Sequence, residues 1–196
     1  MSVFETIKRR RSIGKMTAQE PTREQVERLL EAATHAPNHH HVEPWRFFVL
    51  AGEARDELGE LMAASLATRL REAGKISDEQ AEPVLAKERH KPLRSPIVIV
   101  VAAEHPTQPK VVAIENVAAV AAAVQNMLLT AEEMGLAAMW RSGDAAFDPN
   151  VKLWLCLAPE DAIVAFVYLG YPAIPKLERT PRPVAEKTVW LGWTKR

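Results

Sequence analysis

The architecture of this chain follows from residues 111–135, whose sequence is VVAIENVAAVAAAVQNMLLTAEEMG. This stretch is rich in alanine and apolar on most sides, so it predicts a buried central helix roughly 37 Å long, at about 1.5 Å per residue. Gly135 is a natural end for this helix, because glycine readily adopts the left-handed conformation that closes many helices. The other elements are therefore expected to pack around it.

Short apolar runs on both sides of the central helix predict strands. Unbroken apolar character in residues 96–101 is typical of a strand covered on both faces. The other predicted strands cover residues 45–50, which we expect to be buried, 136–141 and 163–169. Helices are predicted for residues 4–11, 22–36 and 53–73, and from Asp148-Pro149 onward. This order indicates a single α+β domain over residues 1–196.

The composition disfavours several classes of protein. The 25 basic residues balance the 25 acidic ones, so the chain lacks the long-range attraction with which proteins find nucleic acids. Cys156 is the only cysteine, which rules out an intrachain disulfide and a structural zinc cluster. No run reaches the roughly 18 apolar residues of a membrane helix, and residues 1–5 do not resemble a signal peptide. We expect a soluble cytoplasmic protein without nucleic-acid, membrane or metal partners.

The first candidate site is Arg9-Arg10-Arg11-Ser12, at the end of the first predicted helix. Arginine pairs with phosphate oxygens through two parallel N–H bonds, so guanidinium groups and a hydroxyl here would suit a phosphate. The same pattern is also typical of a solvated basic helix end, which the helix dipole favours. Both interpretations remain open on the triplet alone.

A second candidate is the histidine cluster formed by His35 and His39–His41. A metal site is disfavoured, because Pro37 breaks the helical spacing between His35 and His39 and no carboxylate-rich partner accompanies them. Two alternatives remain for these histidines: they belong to a plain surface loop, or they donate hydrogen bonds to an anionic or carbonyl-rich ligand.

A third candidate, Trp140-Arg141-Ser142-Gly143, follows a predicted strand, where ligand-facing loops concentrate in α/β sheets. An ordinary strand end with a buried tryptophan is the alternative. Cys156 is interpreted as a core residue rather than a nucleophile. No GxGxxG, Walker A or GxSxG motif supports a Rossmann site, a P-loop or a hydrolase.

Together these segments resemble the FMN-dependent nitroreductase superfamily, and in particular its short branch of NAD(P)H nitroreductase-like proteins. The resemblance runs nearly end to end. It rests on Arg10-Arg11-Ser12, Ala36-Pro37-Asn38-His39, Pro44-Trp45-Arg46-Phe47-Phe48-Val49, the alanine-rich helix, Trp140-Arg141-Ser142-Gly143 and the strand that ends at Leu169-Gly170.

The resemblance implies a mixed sheet flanked by helices, in an intertwined homodimer with two FMN sites at its interface. Residues 171–196 fit this arrangement, because proline-rich segments with an apolar tip are expected to lie across another surface. They would form an extended C-terminal arm that crosses to the partner.

The resemblance also implies a tightly bound FMN that both subunits hold. From one subunit, the phosphate and the ribityl chain would be gripped by Arg10, Arg11 and Ser12. From the other, the same FMN would be reached by His39 and His35. The flavin edge near N5 and O4 would lie along the backbone of Trp140, Arg141 and Ser142.

Some positions depart from the family pattern. Many members have a basic residue two positions after the serine. This chain has Gly14 there, followed by Lys15, which would place positive charge near flavin N1 and O2 and stabilise the reduced anionic flavin. The phosphate-binding cations of larger members correspond to Arg179 and Arg182, at a different spacing. His35 stands where a longer cation would hold an anion over a wider pH range.

The implied nicotinamide-nucleotide segment is Thr130-Ala131-Glu132-Glu133-Met134-Gly135. The expected enzyme takes hydride from NADH or NADPH and passes it, in ping-pong order, to a nitroaromatic, a quinone or a similar oxidant. The polar residues 74–95 are expected to be a mobile helical segment at the substrate entrance. The alternatives are another flavin reaction such as reductive dehalogenation or flavin destruction, a flavin-binding sensor without turnover, and a helical dimer whose basic segment is only structural.

Overall fold

The computed structural model describes residues 2–74 and 78–193. Its α-helices are α1 Val3–Arg9, α2 Arg23–Thr34, α3 Glu53–Glu72, α4 Asp78–Arg89, α5 Ala113–Glu133 and α6 Pro149–Trp154. Its strands are β1 Trp45–Leu50, β2 Ile97–Ala103, β3 Ala137–Arg141 and β4 Ala162–Gly170. One-turn 3-10 helices lie at His39–His41, Pro92–Arg94, Asp144–Phe147 and Val184–Lys187. The four predicted strands are therefore present, and the predicted order of helices and strands is confirmed.

Capping residues set the ends of several helices. The Thr22 hydroxyl accepts a hydrogen bond from the Gln25 backbone N–H at 3.3 Å, and the Gln25 side chain accepts one from the Thr22 N–H at 2.9 Å. This reciprocal capping box starts α2 as predicted. Asp148 caps α6 by accepting from the Asn150 N–H at 2.9 Å. After α5, Gly135 has a φ of 73°, so the predicted helix end is confirmed.

The four strands form one sheet in the order β1-β2-β4-β3, and every neighbouring pair is antiparallel. The expectation of a mixed sheet is therefore wrong for the strands that the structure describes. Ser12 makes an isolated parallel bridge with Ala138 of β3. Because a single residue pairs there, the segment after α1 adds a bridge to the sheet but not a strand.

Helices cover both faces of the sheet. On one face, α2 and α5 pack on alternate residues of β2, including Ile99 and Val101. On the other face, α3 and α6 pack on the residues between them, including Val98 and Val100. β2 is buried along its whole length, as its sequence predicts. β1 is only half-buried, contrary to expectation, because it lies at the edge of the sheet.

The long helix α5 lies at the centre of the domain, against α2 and against β2, β3 and β4. By length and composition it is also apolar enough to cross a membrane, and 39% of that apolar window is buried inside the chain. Ile114, near its start, is 69% exposed. The predicted buried helix is therefore buried on one side only.

Exposed apolar residues also occur in α1 and in the C-terminal arm. Phe4 of α1 is 63% exposed. The arm is largely exposed from residue 173 to residue 193, including Trp190 and Leu191 near its apolar tip. No partner chain is part of the structure, so the crossing of the arm stays a prediction.

Two local expectations have different outcomes. Cys156 is exposed rather than part of the core, because it lies in the turn after α6 with a φ of 51°. Residues 74–95 contain α4 and the 3-10 turn Pro92–Arg94, as the expected helical segment requires. Residues 75–77 lie outside the described part of the chain, and the mobility of the segment stays a prediction.

Candidate functional site

A cleft opens where three segments of the chain meet. The segment after α1 runs beside β3, where the Ile13 N–H donates to the Ala138 carbonyl at 3.3 Å. On its other side lie residues 171–178, called the arm root below. The Ala173 N–H of the arm root donates to the Lys15 carbonyl at 3.0 Å. These backbone bonds hold the segment after α1 between the sheet and the arm root.

The cleft has a volume of about 840 Å³, which is in the size range of cofactor sites. Four predicted site residues line it: Arg11, Ser12, Lys15 and Arg141. Arg94, from the 3-10 turn before β2, lines it as well. Apolar parts of the wall come from Ile13, Met16, Ile174, Pro175 and Leu177. Glu178 is the acidic residue among the described lining residues, so cations predominate and the cleft favours an anionic ligand.

Arg10 and Arg11 have different surroundings. Arg11 Nε donates to the Leu177 carbonyl at 2.7 Å, and its Nη1 donates to the carbonyls of Lys8 at 2.6 Å and of Arg10 at 2.9 Å. Arg10 is the C-cap of α1, and its guanidinium has no hydrogen bond or ion pair with the rest of the described chain. Arg11 is thus held by the chain itself. The Arg10 guanidinium is not bonded within the described chain, but Arg10 is not among the residues that line the cleft, so its contact with a ligand there stays a prediction.

Arg141 lies at the end of β3 with its guanidinium 5.5 Å from the centre of the Tyr168 ring. Its buried Nε has no hydrogen-bond partner among the described residues. Burial raises the pKa of Tyr168, and the positive charges of Arg141 and Arg94 offset part of that rise. A Cβ on Gly14 would lie 3.0 Å from Met139 Sδ and 3.7 Å from Arg141 Nη2. A side chain at position 14 would therefore crowd the Met139 sulfur, whereas its distance to Arg141 would be an ordinary van der Waals contact.

A smaller cavity of about 220 Å³ adjoins the cleft, and Arg141 lines both. Its lining includes Ser142, Glu88 and Lys91, the last two of which pair at 2.5 Å. Glu88 and Lys91 belong to the segment 74–95 that we expect at the substrate entrance. Their position beside Ser142 is compatible with that role, which stays a prediction.

Other predicted residues lie in a separate groove of about 460 Å³, which includes His35, Thr130 and Glu133 in its lining. Val3 of α1 forms part of the same groove. Glu133 pairs with Arg28 at 3.4 Å. His35 therefore lies beside the predicted nicotinamide segment rather than in the cleft.

Residues 130–135 line the groove only in part, and none of them lines the cleft. The Glu132 side chain is 3% exposed, accepts a hydrogen bond from Lys176 Nζ and lies 3.8 Å from Arg9 Nε. Its carboxylate is therefore already engaged within the chain. Ala131 is buried in the packing of α5, and Met134 and Gly135 form the end of that helix. The nucleotide-binding role of this segment stays a prediction.

The two predicted halves of the site lie at opposite edges of the sheet. Ser12 pairs with β3 at one edge, and His39–His41 leads into β1 at the other. Three strand spacings of about 4.8 Å separate these edges, or roughly 14 Å. His39 is exposed and contacts His40, with ring centres 4.2 Å apart. One copy of the chain thus leaves His39 on the far side of the sheet from the cleft.

The remaining predicted residues are largely exposed. Trp140 is 36% exposed rather than buried, and its indole N–H donates to the Val164 carbonyl at 3.1 Å. Arg179 and Arg182 lie on the arm beyond the arm root, without a hydrogen bond or ion pair to another described residue. Within residues 2–74 and 78–193, no three His, Cys, Asp or Glu side chains form a group that could hold a metal ion.

Sequence reasoning missed two parts of the cleft. Arg94 lies shortly before β2, and a basic residue close to the start of a sheet strand is the signal that would have pointed to it. The arm root was expected to reach across another surface, yet its Ile174 and Leu177 form part of the cleft wall. No local pattern distinguishes these two roles, because the contact partners of the arm root are far away in sequence.

Comparison with known proteins gives consistent matches over most of the chain. Residues 7–171 match the family model described as "Nitroreductase family". The Escherichia coli (strain K12) protein named "Putative NAD(P)H nitroreductase YdjA" is 32% identical over 174 residues, covering 89% of this chain and 90% of that protein. The crystal structure of a nitroreductase-like family protein from Bacillus cereus has a TM-score of 0.83 at 29% identity, covering 98% of this chain and 97% of the other. That of a nitroreductase with bound FMN from Bacteroides fragilis NCTC 9343 has a TM-score of 0.71 at 25% identity, covering 97% and 99%.

Proposed function

This chain belongs to the nitroreductase family of oxidoreductases, and we propose that it uses FMN to pass hydride from NADH or NADPH to a nitroaromatic, a quinone or a similar oxidant. The observation that carries the proposal is the cationic cleft between the segment after α1, the end of β3 and the arm root. Its position fits the segments that the resemblance assigns to FMN.

The chemistry of the cleft fits a flavin nucleotide. Lys15, Arg94 and Arg141 line it without an ion-pair partner in the described part of the chain. The buried Nε of Arg141 is a donor that lacks an acceptor, and such donors are rare unless a ligand or water satisfies them. FMN offers a phosphate and several carbonyl and ring acceptors. The cations and the orphan donor therefore match what this cofactor presents.

We propose distinct roles for the residues of the site. Arg10, Arg11 and Ser12 bind the phosphate and the ribityl chain, and Lys15 places positive charge beside the flavin ring. The flavin edge is oriented by the backbone of Trp140, Arg141 and Ser142. FMN itself supplies the hydride chemistry, with NAD(P)H and the oxidant using the site in turn. The chain's own residues bind, orient and tune the cofactor electrostatically.

We further propose that the active form is a homodimer in which each subunit is one FMN-binding domain over residues 1–196. Ser12 and His39 lie at opposite edges of the sheet within one copy. This arrangement supports a homodimer, since a second copy can bring its His39 and His35 to the cleft. Exposed apolar residues in α1, α5 and the arm also support it, because large apolar patches mark interaction surfaces. Arg179 and Arg182 would reach FMN through the arm. Use of NAD(P)H is in keeping with a cytoplasmic enzyme.

Flavin spectroscopy tests the proposed activity. Purified protein should be yellow and should bleach anaerobically when NADH or NADPH is added. Protein that stays colourless after incubation with FMN would refute the proposal. Bound FMN that neither nicotinamide reduces would favour a sensor, and a screen of oxidants separates nitro or quinone reduction from dehalogenation.

Subunit complementation tests the shared site. One variant carries Arg10→Ala with Ser12→Ala, and the other carries His39→Ala, so each homodimer has two damaged sites. A heterodimer has one intact site, so random mixing of equal amounts should restore about a quarter of the wild-type high-affinity sites. Mixtures that bind no more FMN than the separate variants would contradict the shared site.

A further inference from the structure

We infer that Glu132 is a positioning residue that anchors the arm root and thereby builds one wall of the cofactor cleft. The inference rests on the proposed function, because it concerns the cleft in which FMN is proposed to bind. It gives Glu132 a role other than contact with a nicotinamide nucleotide.

The first support is the burial of a charged group. Glu132 lies in the last turn of α5, and its side chain is 3% exposed. A carboxylate at such a position is tolerated only when cations and hydrogen bonds compensate for the water it has lost. Lys176 Nζ donates to Glu132 Oε1, and Arg9 Nε lies 3.8 Å from the same oxygen.

The second support is the set of elements that these contacts join. Arg9 ends α1, immediately before the basic segment of the cleft, and Lys176 belongs to the arm root. The neighbours of Lys176 in sequence, Pro175 and Leu177, both line the cleft. One carboxylate thus contacts both the end of α1, which leads into the basic segment of the cleft, and the arm root, whose residues Pro175 and Leu177 line the cleft.

The third support is the scarcity of other attachments for this wall. The Ala173 N–H donates to the Lys15 carbonyl at 3.0 Å, which fixes the beginning of the arm root. Farther along, Arg11 Nε donates to the Leu177 carbonyl at 2.7 Å, but the Leu177 side chain is 76% exposed. Packing therefore contributes little beyond residue 174, and the arm root is held there by two side-chain contacts, those of Arg11 with Leu177 and of Glu132 with Lys176.

An anchor of this kind affects ligand affinity without touching the ligand. If the arm root is ordered before FMN arrives, binding does not have to supply the free energy of ordering it. Removing the anchor should make the arm root mobile in the FMN-free protein and weaken FMN binding. The same change should leave the choice between NADH and NADPH unaltered, because the carboxylate faces Lys176 and Arg9 rather than a nucleotide.

Three variants and a matched control test this inference. Glu132→Gln keeps the shape of the side chain, Lys176→Met removes the partner from the partly exposed side, and the double variant removes both. Glu27→Gln is the control, since it deletes the same charge from the exposed ion pair with Arg23 at 2.7 Å. The measurements are hydrogen exchange of the 171–178 peptide in FMN-free protein and the FMN dissociation constant by flavin fluorescence.

The expected result is faster exchange of the 171–178 peptide in all three variants and an FMN dissociation constant raised about tenfold, which corresponds to an ordering cost of about 1.4 kcal/mol. The double variant should be no worse than the more affected single variant, because both changes break one interaction. The control should match wild type in both measurements. Light scattering at the concentrations used confirms that oligomeric state is unchanged.

Several outcomes would overturn the inference. One is that Lys176→Met binds FMN as tightly as wild type, or that hydrogen exchange becomes faster in the variants while FMN binding is not weakened. Another is that the effects of the two substitutions on FMN binding add up in the double variant. A third is that Glu132→Gln changes the preference between NADH and NADPH. If Glu132→Gln does not fold, Lys176→Met carries the test alone, because Lys176 is 31% exposed and lies outside the core. Wild-type protein that binds no FMN would refute the proposed function, while the exchange measurement would still report on the anchor.

Discussion

The neighbouring residues Arg10 and Arg11 provide a sharp test of how the cleft works. Replacing either by methionine removes one positive charge and keeps much of the apolar stem. Arg11 donates three hydrogen bonds to backbone carbonyls, including that of Leu177 in the arm root. The Arg10 guanidinium has no such bond within the described chain. The two variants should therefore separate stability from ligand binding.

The magnitudes follow from these contacts. A hydrogen bond from a charged donor contributes roughly 1.5–3 kcal/mol when buried. The Arg11 bonds are largely exposed to solvent, so we expect Arg11→Met to lower the free energy of unfolding by about 1–2 kcal/mol in total. Arg10→Met should change it by less than about 0.5 kcal/mol. Loss of one charge-assisted bond to phosphate, about 2 kcal/mol, should raise the FMN dissociation constant of Arg10→Met roughly 30-fold.

Two measurements check this pair of variants. Urea unfolding of FMN-free protein gives the stability, and titration with FMN gives the affinity; Arg23→Met serves as a surface control that should alter neither. Arg10→Met should show weak binding at wild-type stability, and Arg11→Met should show lower stability with a smaller change in affinity. The reasoning is refuted if Arg10→Met binds FMN as wild type does, or if it is destabilised as much as Arg11→Met.

Three further predictions concern stability and ionisation. Gly59→Ala should lower the free energy of unfolding by about 1–3 kcal/mol in urea, because its Cβ would lie 2.2 Å from the Arg89 carbonyl oxygen and force α3 away from α4. Thr22→Ala should lower the thermal midpoint through a loss of about 1 kcal/mol, since it removes the cap of α2. Ultraviolet titration of wild type against Tyr168→Phe should show the Tyr168 phenol ionising above its usual pKa, because burial disfavours the phenolate. The folded chain binds the phenol proton of Tyr168 more tightly than the unfolded chain does. The resulting stabilisation is therefore complete below the pKa of Tyr168 in the unfolded chain, and it is lost as the pH rises through the pKa of Tyr168 in the folded chain.

The features that sequence predicted well depend on neighbouring residues. The Thr22 capping box, the Asp148 cap and the Gly135 helix end follow from side chains a few positions away. The buried strand Ile97–Ala103 follows from its unbroken apolar run. In the cleft, Ser12 was found because it follows a basic helix end, and Lys15 was found through the resemblance to the nitroreductase superfamily.

The features that sequence reasoning missed depend on residues far apart in the chain. The all-antiparallel pairing of the described strands depends on which strands meet, and strand composition does not record it. The exposure of Cys156 depends on how the turn after α6 meets the rest of the fold, although its neighbours are apolar. Arg94 reaches the cleft only because the segment before β2 lies beside residues 11–16.

The partial burial of α5 bears on how the chain assembles. Its sequence is apolar enough for a membrane, yet polar residues along it are bonded to the chain's own backbone: Asn116 donates to the Glu104 carbonyl at 2.9 Å and Asn126 to the Ala32 carbonyl at 3.1 Å. With Glu132 paired at its end, these contacts fix the helix within the domain, and moving it into a bilayer would leave them unsatisfied. The apolar surface of α5 that one copy leaves exposed is therefore expected to pack against another apolar protein surface. We propose that a second copy of the chain supplies this surface. The proposed dimer would also bring His39 of one copy to the cleft of the other, which lies at the opposite edge of the sheet within a single copy.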